Sequence, residues 1–151
     1  MTQRVETLIR DVRRKWDELG AALLPPASST DIDDFERRFN VKMPSDFVTY
    51  LAALGGMPLG TTDEHEFRFW PLTEVQPDPT STKPAQQRNL VFADFLICSI
   101  EYAINLSPDA HAAIFRLDGA PTKIASSFTE FLALYVDDPR NLLGRLKQPS
   151  E

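Results

Sequence analysis

The chain has 151 residues, of which 42% are hydrophobic and 25% are charged, as in an ordinary globular protein of one domain. Its formal net charge is −6, and because an acidic surface repels phosphate backbones we expect no direct nucleic-acid binding. The single cysteine, Cys98, excludes an intramolecular disulfide and a zinc site built from paired cysteines.

The first residues of the chain are charged and lead into an amphipathic helix, not into the apolar core of a signal peptide. A membrane-spanning helix needs about 20 predominantly apolar residues, and the apolar runs of this chain are much shorter. We therefore expect a cytoplasmic protein with no membrane segment.

Three helices are predicted in the first third of the chain. Apolar residues recur every three or four positions over residues 3–19, which predicts an amphipathic helix. A second helix is predicted near residues 31–39, with Thr30 as its N-cap. A third helix is predicted with Pro44 in its first turn. The glycine at Gly55 is predicted to end it.

After residue 60 the apolar residues follow the alternating pattern of strands. A first strand is predicted over residues 67–70, and a buried strand over residues 90–93. Residues 76–88 contain three prolines and no large apolar residue, so we expect an exposed loop. Alternation over residues 96–106 predicts one strand with Cys98 on its buried side, where the thiol would be inert.

Two further strands are predicted over residues 112–117 and 122–125, joined by a turn at Asp118-Gly119. Ser127 then caps a helix, with Glu130 completing a capping box. A last short helix carries Leu142, Leu143 and Leu146, and we expect residues 147–151 to be frayed. Helices, then a mostly antiparallel meander of about five strands, then helices again make an α+β fold.

Several short motifs recur here in the order and spacing of a known family. They are Leu24-Pro25-Pro26-Ala27, Ile32 with Phe35-Glu36 and Phe39, Met43-Pro44 with Asp46-Phe47, Leu51, Gly55-Gly56, Phe69-Trp70-Pro71-Leu72 with Glu74-Val75, Phe92-Ala93-Asp94, and Ala125-Ser126-Ser127-Phe128 with Phe131-Leu132. Over residues 24–136 the chain resembles the SUKH superfamily, which includes yeast cell-wall assembly regulators and many bacterial toxin-immunity proteins. Many members carry a glycine-rich turn after the central strand, whereas this chain has Asp94-Phe95-Leu96-Ile97 there.

The resemblance implies that residues 1–151 form a single SUKH-like domain, with a twisted sheet wrapped by its N- and C-terminal helices. It also implies a non-enzymatic role, since bacterial members are thought to bind and neutralise a cognate toxin, often a nuclease or a deaminase. Our first hypothesis is an acidic bacterial immunity protein that binds a basic toxin domain. The alternatives are a regulatory scaffold of the cell-wall regulator kind, and an enzyme or small-molecule binder. The oligomeric state stays open.

The acidic residues are the main candidates for contact with a protein partner. Residues 28–66 contain eight acidic and three basic residues, which either keep the protein soluble or attract a basic partner. Trp70 is either a core residue or an aromatic anchor for the partner, and Glu101 is either an ordinary outward strand residue or part of a binding surface. The partner-binding candidates are Asp63, Glu64, Glu66, Trp70, Asp94 and Glu101.

The sequence offers little that could perform chemistry. His65 lies among carboxylates in Asp63-Glu64-His65-Glu66, but on an extended segment adjacent side chains alternate sides, and a catalytic metal needs about three protein ligands. His111 is predicted in a surface turn with no identifiable nucleophile beside it. We therefore expect no catalytic residue, no metal site and no cofactor.

Overall fold

The structure is a computed structural model that describes residues 2–84, 87–106 and 112–143. Three helices precede a sheet and a fourth follows it, with a final 3-10 helix at Pro139–Leu143. The elements are α1 (Thr2–Glu18), α2 (Ser29–Phe39), α3 (Ser45–Ala53), β1 (Phe67–Phe69), β2 (Gln76–Pro77), β3 (Asn89–Phe95), β4 (Ile100–Asn105), β5 (Ile114–Leu117), β6 (Thr122–Ala125) and α4 (Phe128–Asp137). This arrangement confirms the predicted α+β fold.

The sheet of the described residues has six strands, and every pairing is antiparallel. The order is β1-β3-β4-β5-β6. The two-residue strand β2 also pairs with β3, at Leu90 and Val91, whereas β1 pairs with residues 93–95. β2 lies inside residues 76–88, which we predicted to be an exposed loop. That prediction is wrong at Pro77, which is buried.

The core lies between one face of the sheet and helices α1, α3 and α4, and aromatic rings fill it. Trp16 of α1 contacts Phe69 of β1 edge-on, with ring centroids 5.1 Å apart. Phe131 of α4 lies 5.1 Å from Phe92 of β3 and 5.7 Å from Tyr102 of β4. Fully burying one such side chain contributes about 1.5–3 kcal/mol, so these rings hold the helices on the sheet.

A β-bulge in the central strand explains why neighbouring residues both reach this core. The register of β3 against β4 shifts between Val91 and Ala93, which leaves Phe92 as the extra residue. A bulge re-aims side chains locally. Phe92 therefore contacts Phe131, while its neighbour Ala93 is paired with Tyr102, which contacts the same ring.

Helix boundaries follow local capping chemistry, and one predicted cap is wrong. The N-cap of α2 is Ser28, not Thr30: its side chain accepts from the Asp31 N–H, while the Asp31 carboxylate accepts from the Ser28 N–H, both at 3.0 Å. At α4 the predicted cap Ser127 is confirmed, since its Oγ accepts from the Glu130 N–H at 3.0 Å. Glu130 reaches the Ser126 N–H rather than that of Ser127, so the predicted capping box is only half formed.

Three predictions fall outside the described residues. They concern Leu146 in the last helix, the frayed tail at 147–151, and His111 in a surface turn.

Candidate functional site

The turn between β3 and β4 has the most unusual backbone of the described residues. Leu96, Ile97 and Cys98 all adopt the left-handed conformation, with φ of 55°, 52° and 64°. This conformation costs about 1–2 kcal/mol for each residue with a side chain, and it is especially unfavourable for β-branched isoleucine. Sequence alternation predicted a continuous strand here, and that prediction is wrong over residues 96–99.

The turn also exposes its apolar side chains. Ile97 is 83% exposed and Leu96 is 46% exposed, so burial in the core does not compensate for the strained backbone. Strained residues persist where the surrounding structure fixes them, and they are concentrated at functional sites. An exposed aliphatic side chain on a fixed turn is a candidate anchor for a partner.

A buried carboxylate holds the turn in place. Asp94, which is 3% exposed, accepts a hydrogen bond from the Cys98 N–H at 3.3 Å and another from the Trp70 indole N–H at 2.6 Å. The Leu96 N–H donates to the Glu66 carbonyl oxygen at 2.9 Å. Glu66 itself has a φ of 73°. The turn is therefore attached both to β3 and to the loop that precedes β1.

Carboxylates surround this turn. Glu64 and Glu66 are exposed on the adjoining loop, and Glu101 lies directly across from Asp94 in the register of β3 and β4. Burial raises the pKa of the half-buried Glu101 carboxyl, and the nearby Asp94 and Asp78 raise it further. The Glu101 side chain makes no hydrogen bond or ion pair with any other described residue. We call the residues Glu64, Glu66, Leu96, Ile97 and Glu101 the acidic turn surface.

Cys98 is exposed at the end of this turn, so our prediction of a buried thiol is wrong. The alternation that placed it on the core side does not continue through the turn. Partial burial raises the pKa of the thiol, and the carboxylates of Asp94 and Glu101 raise it further. The thiol is therefore held in its protonated, weakly nucleophilic form.

The structure brings only part of the predicted contact set to the surface. Glu64, Glu66 and Glu101 remain available, and their role in partner binding stays a prediction. The expected surface position is wrong for Asp63 and Asp94, each 3% exposed. Trp70 is 8% exposed, which places it in the core, the first of its two predicted alternatives.

Asp63 has a structural environment that explains its burial. Its Oδ1 accepts from the N–H groups of His65 (2.7 Å) and Phe67 (3.0 Å). Its Oδ2 accepts from the Tyr135 hydroxyl at 2.5 Å, and that hydroxyl in turn accepts from the Trp16 indole N–H at 2.8 Å. Asp63 therefore joins the loop before β1 to α4 and α1.

Sequence reasoning missed Leu96 and Ile97. The signal that could have found them is the absence of glycine at the place where the resembled superfamily often has a glycine-rich turn. A bend that forms without glycine places residues that carry side chains in a strained conformation. If β3 and β4 remain paired on both sides of the bend, those side chains must point away from the sheet.

His65 is exposed. No group of three or more histidine, cysteine or acidic side chains within the described ranges is placed to hold a metal ion. None of the helices that the structure describes has both the length and the apolar character needed to cross a bilayer.

These observations define an α+β domain whose terminal helices pack on one face of an antiparallel sheet, with an acidic, apolar-tipped turn at its surface. Residues 26–134 match the family model of the SMI1 / KNR4 family (SUKH-1). The chain belongs to this family, and the predicted SUKH membership is confirmed. A search of curated proteins finds no match.

Proposed function

We propose that this protein is an immunity-type binding protein that neutralises a basic toxin domain in the cytoplasm of a bacterium by covering it. The acidic turn surface is the contact region in this proposal. The observation that carries it is Ile97, which is 83% exposed on a left-handed turn that the buried Asp94 holds in place. No catalytic step is assigned to the chain.

The fixed turn favours a macromolecular partner. An anchor held in its bound conformation before association loses little conformational freedom on binding, and affinity rises accordingly. A protein–protein contact usually has an apolar centre and a polar rim. Leu96 and Ile97 supply the apolar centre here, and the three glutamates supply the charged rim.

The charge of the site favours a basic partner. The raised pKa of Glu101 reflects burial and neighbouring carboxylates without a compensating cation. A lysine or arginine brought by the partner would supply that cation. The net charge of −6 would also steer a basic toxin toward the protein and accelerate the encounter.

The proposal is tested with the toxin encoded beside this gene. Binding is measured by isothermal titration calorimetry, and protection is measured as survival of cells that express the toxin. We expect Ile97→Asp to weaken binding about tenfold or more and to reduce survival. The matched control is Leu59→Asp, because Leu59 is 79% exposed and lies outside the acidic turn surface. Absence of a complex at micromolar concentration, with cells unprotected, would reject the proposal for that toxin.

A second candidate function is a regulatory scaffold for a cellular protein. The family match favours it, because the family bears the SMI1 / KNR4 name. The same surface would then bind a host partner, and no toxin gene would adjoin this one. An adjacent toxin whose killing is prevented by the wild-type protein, but not by Ile97→Asp, would exclude this alternative.

A further inference from the structure

An open groove lies between α2 and the segment of residues 71–76. Its volume is about 480 Å³, within the range of pockets that bind small ligands or side chains of a partner. Residues 24–27 form a third wall, and Leu54 and Gly55 lie along the groove as well. The groove shares no lining residue with the acidic turn surface.

Close backbone packing fixes the shape of the groove. A Cβ atom on Gly55 would lie 2.0 Å from the Pro25 carbonyl oxygen, so only glycine permits this approach. The Leu24 N–H donates to the Gly56 carbonyl oxygen at 2.9 Å, and the Ala27 N–H donates to the Leu51 carbonyl oxygen at 3.0 Å. The wall of residues 24–27 is thus attached to the end of α3 before any ligand arrives.

The lining is apolar at its base and acidic at its edge. Its apolar residues include Pro25, Pro26, Phe39, Leu54 and Leu72. Its charged residues are three carboxylates and one guanidinium: Asp31, Asp34, Glu74 and Arg38. The Arg38 guanidinium carbon lies 4.9 Å from the centre of the Phe39 ring, where a cation–π contact holds it. Among the residues that line the groove, carboxylates therefore outnumber cations three to one.

The carboxylates at the edge are not equally available. Glu74 pairs with the buried Arg68 at 2.6 Å, and Asp31 belongs to the capping box of α2. Asp34 pairs with Arg37 on the helix surface, where both side chains are mostly exposed. Such exposed pairs contribute less than about 1 kcal/mol. A cation brought by a ligand can therefore displace Arg37 and bind Asp34.

Pro25 and Pro26 determine how a ligand can be recognised. Neither residue has a backbone N–H, so an added β-strand would find no donor along this wall. A ligand must instead place apolar side chains at the base and a charge at the edge. An extended peptide segment with apolar residues beside a basic one fits these requirements.

We propose that this groove binds an extended peptide segment of a partner protein, in which apolar side chains flank a lysine or an arginine. This site goes beyond the proposed function, because it requires neither a toxin partner nor the acidic turn surface.

The test is selection of short random peptides displayed on phage against the wild-type protein. We expect the selected sequences to combine apolar residues with lysine or arginine. Affinity for a selected peptide is then measured by fluorescence anisotropy. No enrichment of such peptides, or enrichment of sequences without a basic residue, would overturn the proposal.

A matched pair of variants locates the binding site. Asp34 lines the groove, whereas Asp33 is exposed on the same helix and does not. Asp34→Lys should weaken binding of the selected peptide about fivefold, while Asp33→Lys, with the same change of net charge, should not. Equal effects of the two variants would overturn the proposal. Ile97→Asp should leave peptide binding unchanged; a loss in that variant would place the peptide on the acidic turn surface and reject the groove.

Discussion

Two tyrosines in the same core differ in what their hydroxyl groups contact. The Tyr135 hydroxyl donates to Asp63 and accepts from Trp16, and burial raises its pKa, so it remains a proton donor to the carboxylate. The Tyr50 hydroxyl is buried and has no hydrogen-bond partner among the described residues. Comparing Tyr→Phe variants at the two positions separates the contribution of the hydroxyl hydrogen bonds to stability from the contribution of the ring.

Replacing Tyr135 with phenylalanine should destabilise the protein. Tyr135→Phe leaves the Asp63 carboxylate and the Trp16 indole without this partner, and an unsatisfied buried polar group costs about 1–3 kcal/mol. Tyr50→Phe should be neutral or slightly stabilising, because it removes a buried hydroxyl that has no hydrogen-bond partner among the described residues. Urea unfolding measures both, and a lower midpoint with an unchanged slope is expected for Tyr135→Phe alone. Equal losses in the two variants would contradict this assignment.

Glu101 should reduce stability at neutral pH, because its ionised form is unfavourable in the folded protein. Its pKa is raised by burial and then by Asp94 and Asp78, so the folded state binds its proton more tightly than the unfolded state does. The penalty is present above the folded pKa and disappears as the pH falls through that pKa and below the unfolded value. Glu101→Gln should therefore stabilise the protein at pH about 7 by less than about 1 kcal/mol, since solvent screens a half-buried group.

The measurement is urea unfolding of the wild type and Glu101→Gln at neutral and at acidic pH. The gain should shrink as the pH falls. Glu64→Gln is the control, because it removes the same charge from an exposed position. A stabilisation by Glu101→Gln that grows toward acidic pH would contradict a raised pKa of Glu101 in the folded protein.

At the scale of single elements, the left-handed turn predicts a stabilising substitution. Asparagine tolerates the left-handed region far better than isoleucine does, and Ile97 is too exposed to contribute burial. Ile97→Asn should therefore raise the free energy of unfolding by about 1 kcal/mol. Leu59→Asn replaces a similarly exposed residue that lacks positive φ, so it should change stability little. Destabilisation by Ile97→Asn would show that the turn is not strained.

The elements that could be predicted from sequence are those whose causes are local. The apolar stripe of α1 and the Ser127 cap of α4 depend on residues a few positions apart, and both are confirmed. The apolar alternation missed the β3–β4 turn, because Cys98 is in phase with the apolar residues of β4. Its position depends on the Asp94 carboxylate and on the Glu66 carbonyl oxygen from another part of the chain.

The candidate site follows the same division between local and distant causes. Composition indicated an acidic surface, the acidic cluster identified Glu64 and Glu66, and the strand alternation identified Glu101; all three remain accessible. It could not show that Asp63 and Asp94 are buried, because each is held by a side chain far along the chain. Tyr135 is 72 residues from Asp63, and Trp70 is 24 residues from Asp94.

At the scale of the whole molecule, the folding unit is longer than the family match. The match begins at residue 26, whereas α1 ends at Glu18. Yet Val12 and Trp16 of α1 are fully buried. Trp16 also donates a hydrogen bond to Tyr135 of α4. Helix α1 is therefore part of the core and not an addition to it.

Deleting residues 2–20 should abolish cooperative folding. The four buried apolar side chains of α1 each contribute about 1.5–3 kcal/mol, and their sum is comparable to the 5–15 kcal/mol that stabilises a typical domain. They are Val5, Ile9, Val12 and Trp16. The truncated chain should lose its near-ultraviolet circular dichroism and its sigmoidal urea transition. The control is substitution on the exposed face of α1 in the full chain. Arg10→Ala and Arg14→Ala should each lower the free energy of unfolding by no more than about 0.5 kcal/mol. A truncated chain that unfolds cooperatively, with stability near that of the full chain, would show that the sheet and the remaining helices fold without α1.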